Sequence, residues 1–173
     1  MAKGAKVLIY NIDSASPKGV EVRNTIRVCG AACQTLHAQD SVQVLGFLLG
    51  LDGYTQNQNP AADNLAVGEA LIFYNFTKQE LDRLLSALKR AGITIPLKAV
   101  VTEHNINWTV TALIGELEQE HRLMSTWQKL SARVKQYKGG DKVLVKEAKE
   151  LLSSHSPDAR KLEEMLARFE SLS

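Results

Sequence analysis

Four short apolar runs, separated by helical spacing, order the first 121 residues. Residues 6–12 (KVLIYNI) are apolar at successive positions, the pattern of a strand buried on both faces. Ser16 and Pro17 supply an N-cap and a first-turn proline, and Val22, Ile26 and Cys29 recur on one face of a helix that Gly30 stops. Residues 32–37 read as a second strand in which only Leu36 is strongly apolar. Asp40 or Ser41 caps a short helix carrying Val42, Leu45, Leu48 and Leu49. Residues 70–76 (ALIFYNF) form the third strand. Thr77 and Glu80 then make a capping box for a helix with Leu81, Leu84, Leu85 and Leu88 at helical spacing, closed by Gly92. Pro96 leads into the fourth strand, where Ala99, Val100 and Val101 run into the polar turn Thr102, Glu103, His104, Asn105. Asn105 or Asn107 is placed to cap a helix beginning near Trp108.

This alternation implies an α/β fold: a small four-stranded, mostly parallel sheet with helices on both faces. With right-handed crossovers the expected strand order is 2-1-3-4, the apolar strands 1 and 3 central and strands 2 and 4, with Gln34, His37 and Lys98, at the edges. The order of elements also repeats. VLIYNI (7–12) matches LIFYNF (71–76) at an offset of 64, and Asp40, Leu45, Leu48, Leu49 and Gly50 match Asn105, Val110, Leu113, Ile114 and Gly115 at 65. Residues 5–50 and 70–121 thus read as two βαβα repeats within an α/β domain spanning 1–121. Between them, residues 51–68 are rich in Asn, Gln, Gly and Pro without periodicity. They read as a mobile connector in which Tyr54 and Leu65 are the available anchors.

The helical stripe that starts at Trp108 does not end with that domain. Leu113, Leu117, Met124, Trp127 and Val134 continue it to about Tyr137, where Gly139-Gly140 ends it. A helix over 143–152 follows, then one started by Ser156-Pro157 with Leu162, Met165, Leu166 and Phe169 on one side. Residues 122–173 are therefore a helical extension whose apolar face needs cover, from a hairpin in cis or from a second subunit.

Composition narrows this reading. Of 173 residues 45% are apolar, ordinary for a globular core. There is no apolar run of membrane-spanning length and no signal-peptide core, so the expectation is a cytoplasmic protein without a membrane contact. Residues 1–121 carry 10 Lys/Arg against 12 Asp/Glu, and residues 122–173 carry 11 against 7. Interleaved signs on helices make a solvated face the plain reading of that basic tail, and nucleic acid is not expected as a partner. Cys29 and Cys33, with only His37 near, make an incomplete metal site and read as reduced thiols.

The candidate chemistry lies at strand ends. In the expected order the crevice falls between strands 1 and 3, lined by Asn11, Asp13, Asn75 and Thr77, with Thr102, His104 and Asn105 at the end of strand 4 and His37 and Asp40 at the end of strand 2. Such residues also cap turns and helices, which is the competing structural role. No Gly-rich phosphate loop is present, and a receiver-type phosphoacceptor position holds Asn75. His104 with Glu103 or Asp13 could form an acid–base pair, but no nucleophile accompanies it. His37, His104 and Asp13 would ligate a metal only if three loops converged. No catalytic residue, metal or cofactor is assigned.

Residues 97–121 (LKAVVTEHNINWTVTALIGELEQEH), preceded by ALIFYNFTKQELDRLLSALKRAGITIP at 70–96, resemble an uncharacterised bacterial family known only as a domain of unknown function. Lys98, Ala99, Thr102, Asn105, Trp108, Thr109, Leu113, Glu116 and Glu120 fit its pattern, best over 70–121. The resemblance implies a small cytoplasmic domain and supplies no activity, cofactor or catalytic residue. The functional expectation is a non-enzymatic regulatory or protein-interaction domain. It would self-associate as a homodimer, or bind a protein partner, through Met124, Trp127 and Val134. The alternative is a small-molecule binder or enzyme using the strand-end polar residues.

Overall fold

The computed structural model describes residues 4–59 and 68–172, so residues 60–67, with the expected anchor Leu65, lie outside the described residues. They divide into two compact units, with the boundary between Glu118 and Gln119.

The first unit is an α/β sheet domain. Its strands are β1 (Lys6–Tyr10), β2 (Ala32–Leu36), β3 (Ala70–Tyr74) and β4 (Leu97–Val100), in the order β2-β1-β3-β4. β1, buried from Val7 to Tyr10, and β3, buried from Ala70 to Phe73, take the centre. The edges fall to β2 and to β4, where Lys98 discourages pairing with another sheet. Each outer pairing is parallel, whereas β1 and β3 run antiparallel, with Lys6 opposite Tyr74, Leu8 opposite Ile72 and Tyr10 opposite Ala70.

Helices α1 (Pro17–Val28) and α3 (Lys78–Arg90) both pack on one face. The crossover rule explains why. Stepping left from β1 to β2 and right from β3 to β4 would put right-handed crossovers on opposite faces of a parallel sheet; reversing β3 brings them to the same face. There Val22, Ile26, Leu84 and Leu88 bury against Val7, Ile9, Leu71 and Phe73. The short α2 (Leu45–Leu48) and the first turns of α4 (Val110–Gln136) cover the other face, where Leu45, Leu49, Val110 and Ile114 meet Leu8, Tyr10 and Ile72.

Both central strands end two residues earlier than their apolar runs. Asn11 and Asn75 take left-handed φ of 55° and 58°, which breaks the ladder immediately after Tyr10 and Tyr74. After Asn11 the chain turns tightly into α1. Ser16 Oγ accepts from the Gly19 amide at 2.9 Å. A Cβ at Gly19 would stand 1.8 Å from the Asp13 carbonyl oxygen, so this turn tolerates only glycine.

The second unit is a three-helix assembly of the later part of α4 with α5 (Lys142–Leu152) and α6 (Ala159–Glu170). Leu130, Leu144, Ala148, Leu162, Met165 and Phe169 form its core, and Trp127 and Val134 pack against it. The Trp127 indole donates to the Leu152 carbonyl at 3.1 Å, satisfying its half-buried N–H. Tyr137 meets Phe169 edge-to-face at 5.3 Å. Asp158, rather than Ser156, caps α6, accepting from the Arg160 and Lys161 amides.

Candidate functional site

The antiparallel β1/β3 pair separates the residues expected to line one crevice. Asn11 and Asp13 follow Tyr10 at one end of the sheet. Asn75 and Thr77 follow Tyr74 at the other end, a strand length of roughly 15 Å away. Because β3 and β4 are parallel, Thr102, His104 and Asn105 join Asn75 and Thr77; because β1 and β2 are parallel, His37 and Asp40 join Asn11 and Asp13. A single crevice between strands 1 and 3 is therefore not formed. An acid–base pair of His104 with Asp13, or a metal set of His37, His104 and Asp13, would have to reach across the sheet. Among the described residues no group of three or more His, Cys, Asp or Glu is arranged to hold a metal ion.

Several of these side chains are occupied by their own turns. Asp13 Oδ1 accepts from the Ala15 amide at 2.9 Å. Asp40 Oδ2 accepts from the His37 amide at 2.7 Å. Thr77 and Glu80 close the expected capping box: Glu80 Oε2 accepts from the Thr77 amide at 2.8 Å, and Thr77 Oγ1 from the Glu80 amide at 3.3 Å. The bond from the Thr77 amide, and then the one its hydroxyl donates to Glu80 Oε2 at 2.8 Å, hold the Glu80 carboxyl below the usual carboxylate range. Asn105 Oδ1 accepts from the Thr102 amide at 2.8 Å, and its Nδ2 donates to the Val100 carbonyl at 3.0 Å. Asn105 thus ties off β4 and does not cap α4. Thr109 does, accepting from the Ala112 amide at 3.2 Å.

Residues 101–109 consequently form a braced platform. The Ile106 amide donates to the Thr102 carbonyl and the Trp108 amide to the Asn105 carbonyl. The platform also couples to the connection after β2. The Leu45 amide donates to the Trp108 carbonyl at 3.0 Å and the Val110 amide to the Gln43 carbonyl at 3.1 Å, around an antiparallel bridge of Val44 with Thr109. On this platform Glu103, His104 and Asn107 are exposed, and the Trp108 residue is 40% exposed.

Three residues that the sequence pattern did not single out organise the same region or the opposite end. Gln43, 4% exposed, holds Asn57: its Nε2 donates to the Asn57 carbonyl at 2.9 Å and its Oε1 accepts from the Asn57 amide at 2.7 Å. The 51–59 segment is thereby pinned, with Tyr54 stacked where a Cβ at Gly46 would fall, so this part of the expected mobile connector is tied down. Arg23, 8% exposed, donates to the Gly19 and Ile12 carbonyls and to Thr35 Oγ1. It locks the ends of β1 and β2 to the first turn of α1. A basic residue between Val22 and Ile26, on the buried side of α1, was the available signal for it. Tyr10, on the opposite face, has its phenol pushed up, by burial first and then by the negative Glu118.

Of the expected interface residues, Trp127 and Val134 are committed to the three-helix core, while Met124 is 56% exposed. The stripe divides because α5 and α6 fold back on α4 and cover its later turns in cis.

The molecule is thus a two-unit α/β and helical protein in which Trp108 stands exposed on a hydrogen-bonded turn. Residues 69–124, which contain that turn, match the model of a family described as Domain of unknown function (DUF3783). Comparisons with curated proteins and with solved structures give no match. No helix among the described residues is long and apolar enough to cross a membrane.

Proposed function

We propose that this is a cytoplasmic, non-catalytic interaction module whose recognition surface is the 101–109 turn, with Trp108 as its anchor. The carrying observation is Trp108 itself: a tryptophan 40% exposed on a turn whose backbone is fixed by Asn105 and by the bridge to Val44. A rigid aromatic presented at low entropic cost is what a binding hot spot requires. The family match over 69–124 contains this turn whole, which supports a role for it beyond closing β4. We also infer that the two halves descend from one repeated unit, since their turns share hydrogen bonds at a constant offset of 65 residues.

A photocrosslinking residue in place of the exposed His104 tests the recognition surface in the native host. The expected result is one discrete adduct that disappears when Trp108→Gln is added. An adduct indifferent to Trp108, or none, removes the proposal.

A further inference from the structure

The connections after β2 and after β4 share a set of hydrogen bonds at corresponding positions. The His37 amide donates to the Asp40 carboxylate, as the Thr102 amide does to the Asn105 side chain. The Gln43 amide donates to the Asp40 carbonyl, as the Trp108 amide does to the Asn105 carbonyl. Leu48 to Val44 is repeated by Leu113 to Thr109, and the two connections exchange reciprocal bonds, Leu45 to Trp108 and Val110 to Gln43. Trp108 therefore occupies, in the second half, the position of Gln43 in the first.

The first half shows what covers that position. One residue of a non-helical segment lies on it: the Gln43 side-chain amide grips both the amide and the carbonyl of Asn57, as a neighbouring strand would. The Asn57 side chain adds a donor to the Val42 carbonyl at 3.0 Å. In the second half no chain returns among the described residues, because the counterpart of α2 does not stop after four residues but runs on as the 27-residue α4. The exposed Asn107 stands where Val42 stands in the first half.

We propose, building on the recognition surface above, that the ledge beside Trp108 takes an extended segment of a partner polypeptide, one residue of it gripped there as Asn57 is gripped by Gln43. Tryptophan in place of glutamine changes what is selected. It offers an apolar face and a single N–H donor where Gln43 offers a donor and an acceptor. The fitting segment carries an apolar side chain to stack on the indole and a backbone carbonyl to accept its N–H. An Asn or Gln side-chain amide would donate to the Asn107 carbonyl, as Asn57 does to that of Val42.

The full chain can be panned against a phage-displayed library of random linear 12-residue peptides, a library length chosen at roughly the scale of a β-strand plus flanks. Enriched peptides are measured by fluorescence anisotropy on the wild type, Trp108→Gln and Trp108→Phe, with circular dichroism confirming that each variant is folded. The expected result is binding weakened at least tenfold by Trp108→Gln and largely kept by Trp108→Phe, with bound peptides extended by their sequential amide–Hα nuclear Overhauser effects. Peptides that depend on Trp108 but bind as helices overturn the extended-segment inference and leave the recognition surface standing. Peptides indifferent to Trp108, or no enriched peptide, overturn both.

Discussion

At the end of β2 the chain passes through Asp40 and Gln43 into a four-residue helix, turns at Gly50 and comes back to lay Asn57 on Gln43. At the end of β4 it passes through Asn105 and Trp108 into a 27-residue helix and does not come back among the described residues. The two turns share their central bonds, the strand-end amide to the Asp40 or Asn105 side chain and the Gln43 or Trp108 amide to its carbonyl, so that shared chemistry does not decide whether the surface above is covered. What differs is one glycine's conformation. Gly50 takes φ of 65° and ends α2, while its counterpart Gly115 stays helical inside α4. The first half is closed on itself and the second is left with an exposed indole.

The sharpest way to break this comparison is to remove the clamp. Gln43→Ala leaves the Asn57 amide and carbonyl without their partner and should cost about 1–3 kcal/mol, lowering Tm by several degrees. Hydrogen exchange at the Asn57 amide should accelerate with it. Trp108→Gln should leave exchange at the Ile106 and Trp108 amides as it is, since Asn105 and the Thr102 carbonyl hold them. Equal acceleration there would mean that the two turns are not independent of what lies above them.

A smaller effect separates the two glycines. Gly50→Ala must place a Cβ on a left-handed residue and should cost about 1–2 kcal/mol. Gly115→Ala, with nothing within 4 Å of the added carbon, should gain about 0.5–1 kcal/mol in a helix interior. Urea denaturation of both variants checks the opposite signs.

The smallest concerns the helix caps. The first half caps α1 with Ser16, which does not titrate; the second caps α3 with Thr77 and the carboxylate of Glu80. The Glu80 carboxyl is held below its ordinary 4.5, so its contribution is complete above that pH and is lost as pH falls through the lowered folded value. Glu80→Gln should flatten part of the acid limb of the stability–pH curve. An unchanged limb would show that the cap carries no linkage.

How much of this was legible from residues alone follows from what periodicity encodes. Period and burial name the elements: the fully apolar Val7–Tyr10 and Ala70–Phe73 could only be central strands, and Thr77 with Glu80 could hardly be other than a cap. Direction is not encoded there. An apolar run reads the same whether β3 lies parallel or antiparallel to β1, and the expected crevice depended on that choice. The shared face of α1 and α3 decides it, through contacts such as Val22 and Leu84 in one core, which no local pattern specifies. Gln43 and Asn57 were illegible for a related reason. Each is an ordinary polar residue in a polar stretch, and only the return of the chain gives the pair its role.

The antiparallel pairing at the sheet centre also has a cost in time. The middle of that pairing, Leu8 with Ile72, joins residues 64 positions apart. At about 5–20 residues per second, synthesis needs roughly 3–13 s to bring the second partner into existence. For that interval β1, which becomes a central strand buried from Val7 to Tyr10, is an apolar strand with one row of backbone amides and carbonyls bare. Neighbouring nascent chains on one messenger would each present the same strand, so pairing between chains during synthesis is a hazard that comes with this topology.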